Sequence, residues 1–243
     1  MECLFIDFIA LIKRVTIGSY EHLIPISLVL FFGVIFIRYS IRNFNLNQQQ
    51  KSIHYVAVLV ALTVIIFHLY YIATGNYNIT TDLPLYLCSF LALLIPIFTY
   101  YRTYWMYEIL VFWIIAGTLQ GVITPDIAEG FPSFDYFRYW MVHLGLLYII
   151  FYATFVFNMR PKFRSIFKSI LALQVYVVLM VLINFVLDAN YFYLNQKPEA
   201  ASLLDYFGEW PYYIFVCQLI LLPYFMIIYL PFYVMKRKLN SKN

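Results

Sequence analysis

Long apolar segments dominate this sequence and restrict the folds open to it. A helix needs about 20 apolar residues to cross the ~30 Å hydrocarbon core of a bilayer. The sequence contains seven segments of this kind, each bounded by polar or aromatic residues. They predict an all-α polytopic membrane protein, a bundle of seven transmembrane helices. The seven predicted spans cover about 22–40, 53–73, 83–100, 105–123, 137–158, 167–187 and 211–235.

The composition agrees with a membrane class. Charged residues make up 12% of the chain and hydrophobic residues 64%, whereas soluble domains carry about 25% charged residues. Strands of a membrane barrel would appear as ~10-residue segments of alternating hydrophobicity, and the apolar segments here are continuous. Neither a Gly/Ser linker nor a clear internal repeat divides the chain, so we expect residues 1–243 to form a single integral membrane domain.

Basic residues gather on one side of this seven-span arrangement. Twelve of the sixteen Lys and Arg residues fall in the tail and in the loops on its side of the membrane, and many acidic residues fall in the opposite loops. Cytoplasmic loops carry the excess of Lys and Arg. The sequence therefore predicts an N-terminus outside and a C-terminus in the cytoplasm.

The first residues and the cysteines exclude several classes. The opening segment, MECLFIDFIALIKRV, has acidic residues before its apolar run and basic ones after it, the reverse of a signal peptide. We expect a short interfacial helix there. Cys3, Cys88 and Cys217 are an odd number of thiols without a CxxC spacing, so neither a disulfide framework nor a zinc site is expected. No metal or other cofactor is predicted.

Three reactive side chains fall at one depth of the predicted bundle. Cys88, His143 and His68 each lie about five residues inside the outer end of a predicted span, which is roughly 8 Å at ~1.5 Å per residue. Ionisable groups inside membrane spans are costly and mark function by default. An imidazole that accepts the proton of a thiol produces a nucleophile. Cys88 as nucleophile and His143 as general base therefore form a candidate catalytic pair for acyl transfer.

Each of these residues also has a purely structural interpretation. A free cysteine in an apolar helix often acts as a small hydrophobic packing residue. A histidine between helices often serves only as a hydrogen-bonding group. The residues alone leave both interpretations open.

Further polar residues are predicted at the same end of the bundle. They would line a cavity there, bind substrate or orient the catalytic imidazole, whose tautomer requires a third group. Asp126 and Asp188 are both candidates for that third group, and the sequence does not choose between them. The full set of predicted supporting residues is His68, Gln120, Thr124, Asp126, Asn184, Asp188 and Asn190.

The longest predicted outer loop, residues 188–210, contains features of a short amphipathic helix. Pro198 suits a first turn and Gly208 suits a stop. Such a helix would be a lid, a shelf that guides lipids, or an ordinary surface segment. Its apolar face would consist of Ala200, Leu203, Leu204 and Phe207.

Five quoted segments together resemble a known family. GSYEHLI, LPLYLCS, AGTLQGVITPD, RYWMVHLGLLY and NYFYLNQKPEAASLLDYFGEWPYY resemble the bacterial YwaF-like integral membrane family, which is related to eukaryotic transmembrane protein 164. The resemblance implies a coenzyme-A-independent phospholipid acyltransferase in which Cys88 and His143 occupy the catalytic positions. It also implies membrane phospholipids as substrates and the cytoplasmic membrane of a bacterium as the location.

The sequence thus predicts a membrane-embedded acyltransferase or transacylase that acts on glycerophospholipids. One alternative is a lipid or solute transporter that uses the intramembrane histidines and outer acidic residues. Another is a non-catalytic membrane scaffold. No nucleic-acid partner is expected, and the sequence identifies no protein partner.

Overall fold

The structure is a computed structural model that describes residues 14–198 and 202–240. In these two ranges every element of regular secondary structure is a helix and no strand occurs, which confirms the all-α prediction. Seven long helices occur in this part of the chain: α1 Tyr20–Asn43, α2 Leu46–Ala73, α3 Leu87–Tyr101, α4 Tyr104–Ile123, α5 Phe134–Phe155, α6 Phe163–Leu187 and α7 Tyr212–Asn240.

Five of these helices are long and apolar enough to cross a bilayer, namely α1, α2, α4, α6 and α7. Helix α3 has 15 residues, about 22 Å at 1.5 Å per residue. Helix α5 has 22 residues but carries Asp135, Arg138 and His143. The predicted membrane class is therefore supported, and the protein is a polytopic integral membrane protein.

Helix α5 forms the centre of the bundle. Thirteen of its 22 residues are buried, and α1, α2, α3 and α4 all contact it. The approach to α2 is close, since a Cβ atom on Gly145 would lie 2.5 Å from a methyl group of Val60. Because protein rather than lipid surrounds it, α5 tolerates more polar side chains than its neighbours.

Several helix boundaries differ from the predicted spans because capping groups decide them. Helix α2 begins at Leu46 rather than near 53, where Asn45 and Gln48 form a capping box of the kind that satisfies free N–H groups. Helix α5 begins at Phe134, and the Ser133 hydroxyl accepts from the N–H of Tyr136.

The start of α3 also differs from the prediction. The predicted span from residue 83 would place Pro84 in the first turn of a helix, but Pro84 lies in a turn before the actual start at Leu87. Tyrosine hydroxyls bond the main chain of this turn: Tyr191 Oη accepts from the N–H of Leu83, and Tyr176 Oη donates to the oxygen of Leu85. These side chains satisfy the backbone groups that a helix would otherwise pair internally.

The connection between α6 and α7 is tied to the turn before α3 through Tyr191. The buried Asn184 accepts from the N–H of Tyr191 (2.7 Å) and donates to its carbonyl oxygen (2.9 Å). The phenol of Tyr191 then donates to the oxygen of Ile79 at 2.7 Å. The connection and the beginning of α3 therefore hold each other in place.

The predicted amphipathic helix in this connection is observed only in part. Leu203–Phe207 form a five-residue 3₁₀ helix, capped by Ser202 and followed by Gly208 at φ +87°. Leu204 and Phe207 are half-buried, whereas Leu203 is exposed. Ala200 lies outside the described residues, as do Cys3 and the predicted N-terminal interfacial helix.

An ion pair joins α4 to α6 at the opposite end of the bundle. The Glu108 carboxylate, only 3% exposed, accepts from Lys168 Nζ at 2.7 Å and from Ser165 Oγ at 2.6 Å. The indole N–H of Trp113 donates to the oxygen of Ser169 nearby. These bonds fix the position of α4 along α6.

Candidate functional site

Cys88 is the second residue of α3 and contacts α4. Its Sγ atom lies 3.7 Å from the hydroxyl oxygen of the fully buried Thr118. Because the helix starts at Leu87, Cys88 lies in the first turn, not five residues inside it. The free N–H groups and the macrodipole place partial positive charge at this end of a helix.

Thr118 ends a π-helical segment within α4. Ile114–Thr118 adopt this wider turn, and the N–H of Leu119 donates to the oxygen of Ile114, five residues earlier. Single π turns inside α-helices are rare and frequently occur at functional sites. The composition of the segment, IIAGT, carries no recognised signal for it, so the prediction from sequence did not include it.

Two glycines allow close packing on this part of α4. A Cβ atom on Gly117 would lie 2.9 Å from Leu87, and one on Gly121 would lie 2.7 Å from Cδ2 and 2.8 Å from Nε2 of His143. Glycines spaced by four residues let membrane helices approach closely. Neither glycine is among the residues predicted for the site, although the pattern GTLQG contains the signal.

His143 is buried, and its own helix orients its ring. Its Nδ1 atom lies 2.8 Å from the main-chain oxygen of Tyr139. Because a carbonyl oxygen only accepts hydrogen bonds, Nδ1 carries the proton and Nε2 carries a lone pair. Across the described residues, Nε2 makes no hydrogen bond; it lies against Gly121.

The thiol and the imidazole therefore meet the same face of α4. Cys88 contacts Thr118 and His143 contacts Gly121, and residues three apart on a helix are neighbours on one face. The hydrogen-bond partner of the Cys88 thiol in this conformation is Thr118. The two predicted catalytic residues thus contact residues of one helix, α4, that are three positions apart.

The two predicted acidic partners of His143 lie in other environments. The Asp126 carboxylate pairs with Arg14 at 2.5 Å, and its main-chain N–H donates to Tyr139 Oη at 3.2 Å. Asp188 is exposed at the end of α6, with φ +51°. The imidazole tautomer is set by a main-chain carbonyl instead, and Asp126 reaches the site only through Tyr139.

The remaining predicted residues bond elsewhere. Gln120 and Thr124 bond each other, with the amide donating to the hydroxyl at 3.0 Å. Asn184 holds Tyr191, and Asn190 accepts from two N–H groups of its own loop. The His68 ring packs edge-on against Phe67 and Tyr77, and its buried Nδ1 has no hydrogen-bond partner in the described part of the chain.

Tyrosines of the α6–α7 connection pack above the start of α3. The Tyr86 ring lies 5.4 Å, centroid to centroid, from both Tyr191 and Tyr193. Burial raises the pKa of the Tyr193 phenol, and the charges of Asp126, Tyr86 and Cys88 act in the same direction. Both tyrosines of the connection thus contact Tyr86, two residues before Cys88.

The backbone at this point is unusual. Phe192 and Tyr193 have φ +62° and +54°, a region that few residues other than glycine adopt. The hydroxyl of Tyr213 donates to the Tyr193 oxygen at 2.6 Å. Positive-φ residues of this kind persist where surrounding contacts hold them, and they cluster at functional sites.

Comparison with known proteins identifies the family of the chain. The model of the TMEM164 family matches residues 17–229, a stretch that includes Cys88, Thr118, Gly121 and His143. Comparisons with curated proteins and with solved structures found no match. The expected relation to transmembrane protein 164 is thereby confirmed: the chain belongs to the TMEM164 family.

Proposed function

We propose that the chain is a membrane-embedded acyltransferase that acts on glycerophospholipids through Cys88 and His143. The observation that supports this most directly is the shared face of α4: the thiol contacts Thr118, and the imidazole contacts Gly121 three residues later. The Nε2 lone pair of His143 has no partner among the described residues. It is therefore free to accept a proton.

The reaction proceeds in two steps, acylation of Cys88 and transfer of the acyl group to an acceptor. His143 Nε2 takes the proton of the Cys88 thiol, and the sulfur attacks the carbonyl carbon of a lipid ester. The ester C–O bond breaks, the lysolipid oxygen leaves with the proton held by the imidazole, and an acyl thioester remains on Cys88. The hydroxyl of a second lipid, or water, then attacks the thioester while the imidazole removes its proton and returns it to the sulfur.

Base and thiol must come within hydrogen-bond reach for the first step. Catalytic hydrogen bonds are often long before substrate binds and shorten in the reacting complex. In this structure, Thr118 occupies the bonding position at the sulfur. A rotation of the thiol from Thr118 toward His143 is the movement that the mechanism requires.

The proposed topology has seven transmembrane helices, an external N-terminus and a cytoplasmic C-terminus. It includes α3 and α5, which are shorter or more polar than the other five helices. The bias of Lys and Arg toward the loops on the side of the tail supports this orientation. Cys88 and His143 then face the outer leaflet. The resemblance to the bacterial group favours the cytoplasmic membrane of a bacterium as the location.

Reconstitution of the purified protein with a labelled phospholipid and a lysolipid acceptor tests the proposal. Cys88→Ser should lower acyl transfer by about 10³-fold or more, as expected for loss of a nucleophile. Mass spectrometry of the wild type should detect an acyl group on the peptide that contains Cys88. Cys217→Ala is the matched control and should retain activity.

Full lipid remodelling by Cys88→Ser would refute the mechanism. The transporter alternative predicts another pattern, in which His143→Ala abolishes uptake or flipping while a Cys88 substitution has no effect. Thermal unfolding of each variant in detergent establishes that the loss is not a loss of fold.

A further inference from the structure

Two glutamines form a polar pair on the lipid-facing surface of α6 and α7. Gln174 Nε2 donates to Gln218 Oε1 at 2.9 Å. Gln218 is exposed and Gln174 is half-buried. Gln174 lies close to the middle of the 25-residue α6, so it is about 16–20 Å from either end. Gln218 lies six residues after the start of α7 at Tyr212, roughly 9 Å along that helix. The pair therefore lies within the membrane-spanning part of both helices.

One hydrogen bond leaves most of this pair unsatisfied. Gln174 Oε1, the second N–H of Gln174 and both N–H groups of Gln218 have no partner anywhere in residues 14–198 and 202–240. Hydrocarbon offers no hydrogen bonds, so each such group facing lipid is unfavourable. By contrast, Thr63 on α2 donates to its own helix, at the oxygen of Leu59.

The surface beside the glutamines has the character of a helix interface. A shallow groove of about 270 Å³ lies next to Gln174 and is lined by Val175, Val178 and Leu179. Leu219, which follows Gln218, is 78% exposed. An apolar groove next to an unsatisfied amide pair suits a second helix that carries both an apolar side chain and a hydrogen-bonding group.

We infer that α6 and α7 form a dimer interface with a second copy of this chain, in which Gln174 and Gln218 of each copy bond across a two-fold axis along the membrane normal. An amide carries both donors and an acceptor, so it is complementary to itself. A two-fold interface brings the same patch of both copies together. An axis along the membrane normal keeps both copies in one orientation and places equal residues at equal depth.

Lipid alone does not account for the pair. An acyl chain fills the apolar groove but neither donates nor accepts a hydrogen bond. The second copy supplies amide groups at the required depth. This inference rests on α6 and α7 alone and does not depend on the proposed acyl transfer.

Disulfide cross-linking in membranes tests the interface. In a Cys217→Ala background, Gln218→Cys should form a covalent dimer under mild oxidation. Phe31→Cys is the matched control, because Phe31 is 62% exposed near the middle of α1. That control should remain monomeric. Cross-linking of Phe31→Cys that equals or exceeds that of Gln218→Cys would overturn the proposal.

A second measurement uses shape-conserving substitutions. Single-molecule photobleaching in liposomes over a range of protein-to-lipid ratios should detect a wild-type dimer. The double variant Gln174→Met/Gln218→Met should weaken dimerisation about tenfold, as expected for the loss of interhelical hydrogen bonds in both halves of the interface. A wild-type chain that stays monomeric at every ratio would refute the inference. Copurification of a different membrane protein would not change that result. So would a double variant that dimerises as tightly as the wild type.

Discussion

The Nδ1 atom of His143 lies 2.8 Å from the main-chain oxygen of Tyr139, and the two aromatic rings stack with their centroids 3.9 Å apart. Both contacts come from residues one turn apart on α5. The imidazole is therefore positioned by its own helix. In a Ser-His-Asp triad, by contrast, a carboxylate orients the imidazole. The orientation of the His143 imidazole depends on how closely α4 approaches α5.

The first prediction concerns that approach. Gly121→Ala places a Cβ atom 2.7–2.8 Å from the ring of His143, so the ring or the helix has to move. We expect a loss of about 1–3 kcal/mol of stability, as for other overpacked sites. Acyl transfer per folded molecule should also fall by at least about tenfold.

Gly145→Ala is the matched control for this substitution. Its new Cβ atom would meet Val60 at 2.5 Å, on the contact between α2 and α5. It should lower the melting temperature comparably but leave the activity of the folded fraction nearly unchanged. Equal loss of specific activity in both variants would show that Gly121 has no particular relation to the imidazole.

The second prediction concerns the Thr118 hydroxyl, the hydrogen-bond partner of the Cys88 thiol. Thr118→Val removes the hydroxyl and keeps the shape, whereas Thr118→Ser keeps the hydroxyl. The valine variant should lose about 3–10-fold in acyl transfer, consistent with a single hydrogen bond, and Cys88 should react with a small alkylating reagent at an altered rate. The serine variant should resemble the wild type in both assays. Equal behaviour of the two variants would exclude a role for the hydroxyl.

The third prediction concerns pH and Tyr191, which lies in the α6–α7 connection. Burial raises the pKa of its phenol from near 10 to about 12, although the bond from the N–H of Leu83 opposes the shift. A phenol whose pKa is higher in the folded than in the unfolded state stabilises the fold fully below pH ~10. This stabilisation is lost as the pH rises from about 10 to 12. The melting temperature should therefore fall across this window.

Tyr191→Phe provides the comparison. It leaves the N–H of Leu83 and the oxygen of Ile79 without their partner, so stability at pH 8 should fall by about 1–3 kcal/mol. The further decrease between pH 10 and 12 should be shallower than in the wild type. Thermal unfolding in detergent from pH 8 to 12 measures both effects, and parallel curves would contradict the assignment to Tyr191.

The fourth prediction concerns the ion pair between α4 and α6. Lys168→Met leaves the buried Glu108 carboxylate with Ser165 as its remaining side-chain partner. This should cost about 2 kcal/mol, the scale of a hydrogen bond to a charged group. The double variant Glu108→Gln/Lys168→Met should recover much of the loss, because no charge is then left unpaired. Thermal unfolding measures the stability of both variants. Equal destabilisation of the two would contradict the assignment of the loss to an unpaired Glu108 charge.

The apolar segments predicted the helices well because a spanning helix needs a long run of one composition. The boundary of α3 was wrong because Tyr176 and Tyr191, far away in the chain, bond the main chain around Pro84. The predicted spans place Cys88 and His143 equally far, about five residues, from their helix starts. The structure instead places Cys88 in the first turn of α3 and His143 nine residues after the start of α5.

The site could be predicted only as a set of residue types. The sequence identified Cys88 and His143, and it offered Asp126 or Asp188 to orient the imidazole. A main-chain carbonyl does so instead, and no side-chain pattern encodes that contact. The spacing of Gly117 and Gly121 could have predicted close helix packing, whereas no pattern in the sequence predicts the π-helical turn between Ile114 and Thr118.

That turn has a consequence for the angular phase of α4. A π turn absorbs one extra residue, and each residue of an α-helix advances the chain by about 100° around the axis. If the same sequence continued as an uninterrupted α-helix, Gly121 would rotate by about that angle away from His143. Removal of one residue within 114–118, such as Ile115, would restore an uninterrupted helix while preserving the alignment of both halves. The π turn therefore sets the rotation of the second part of α4 relative to the first part, and with it the direction in which Gly121 faces.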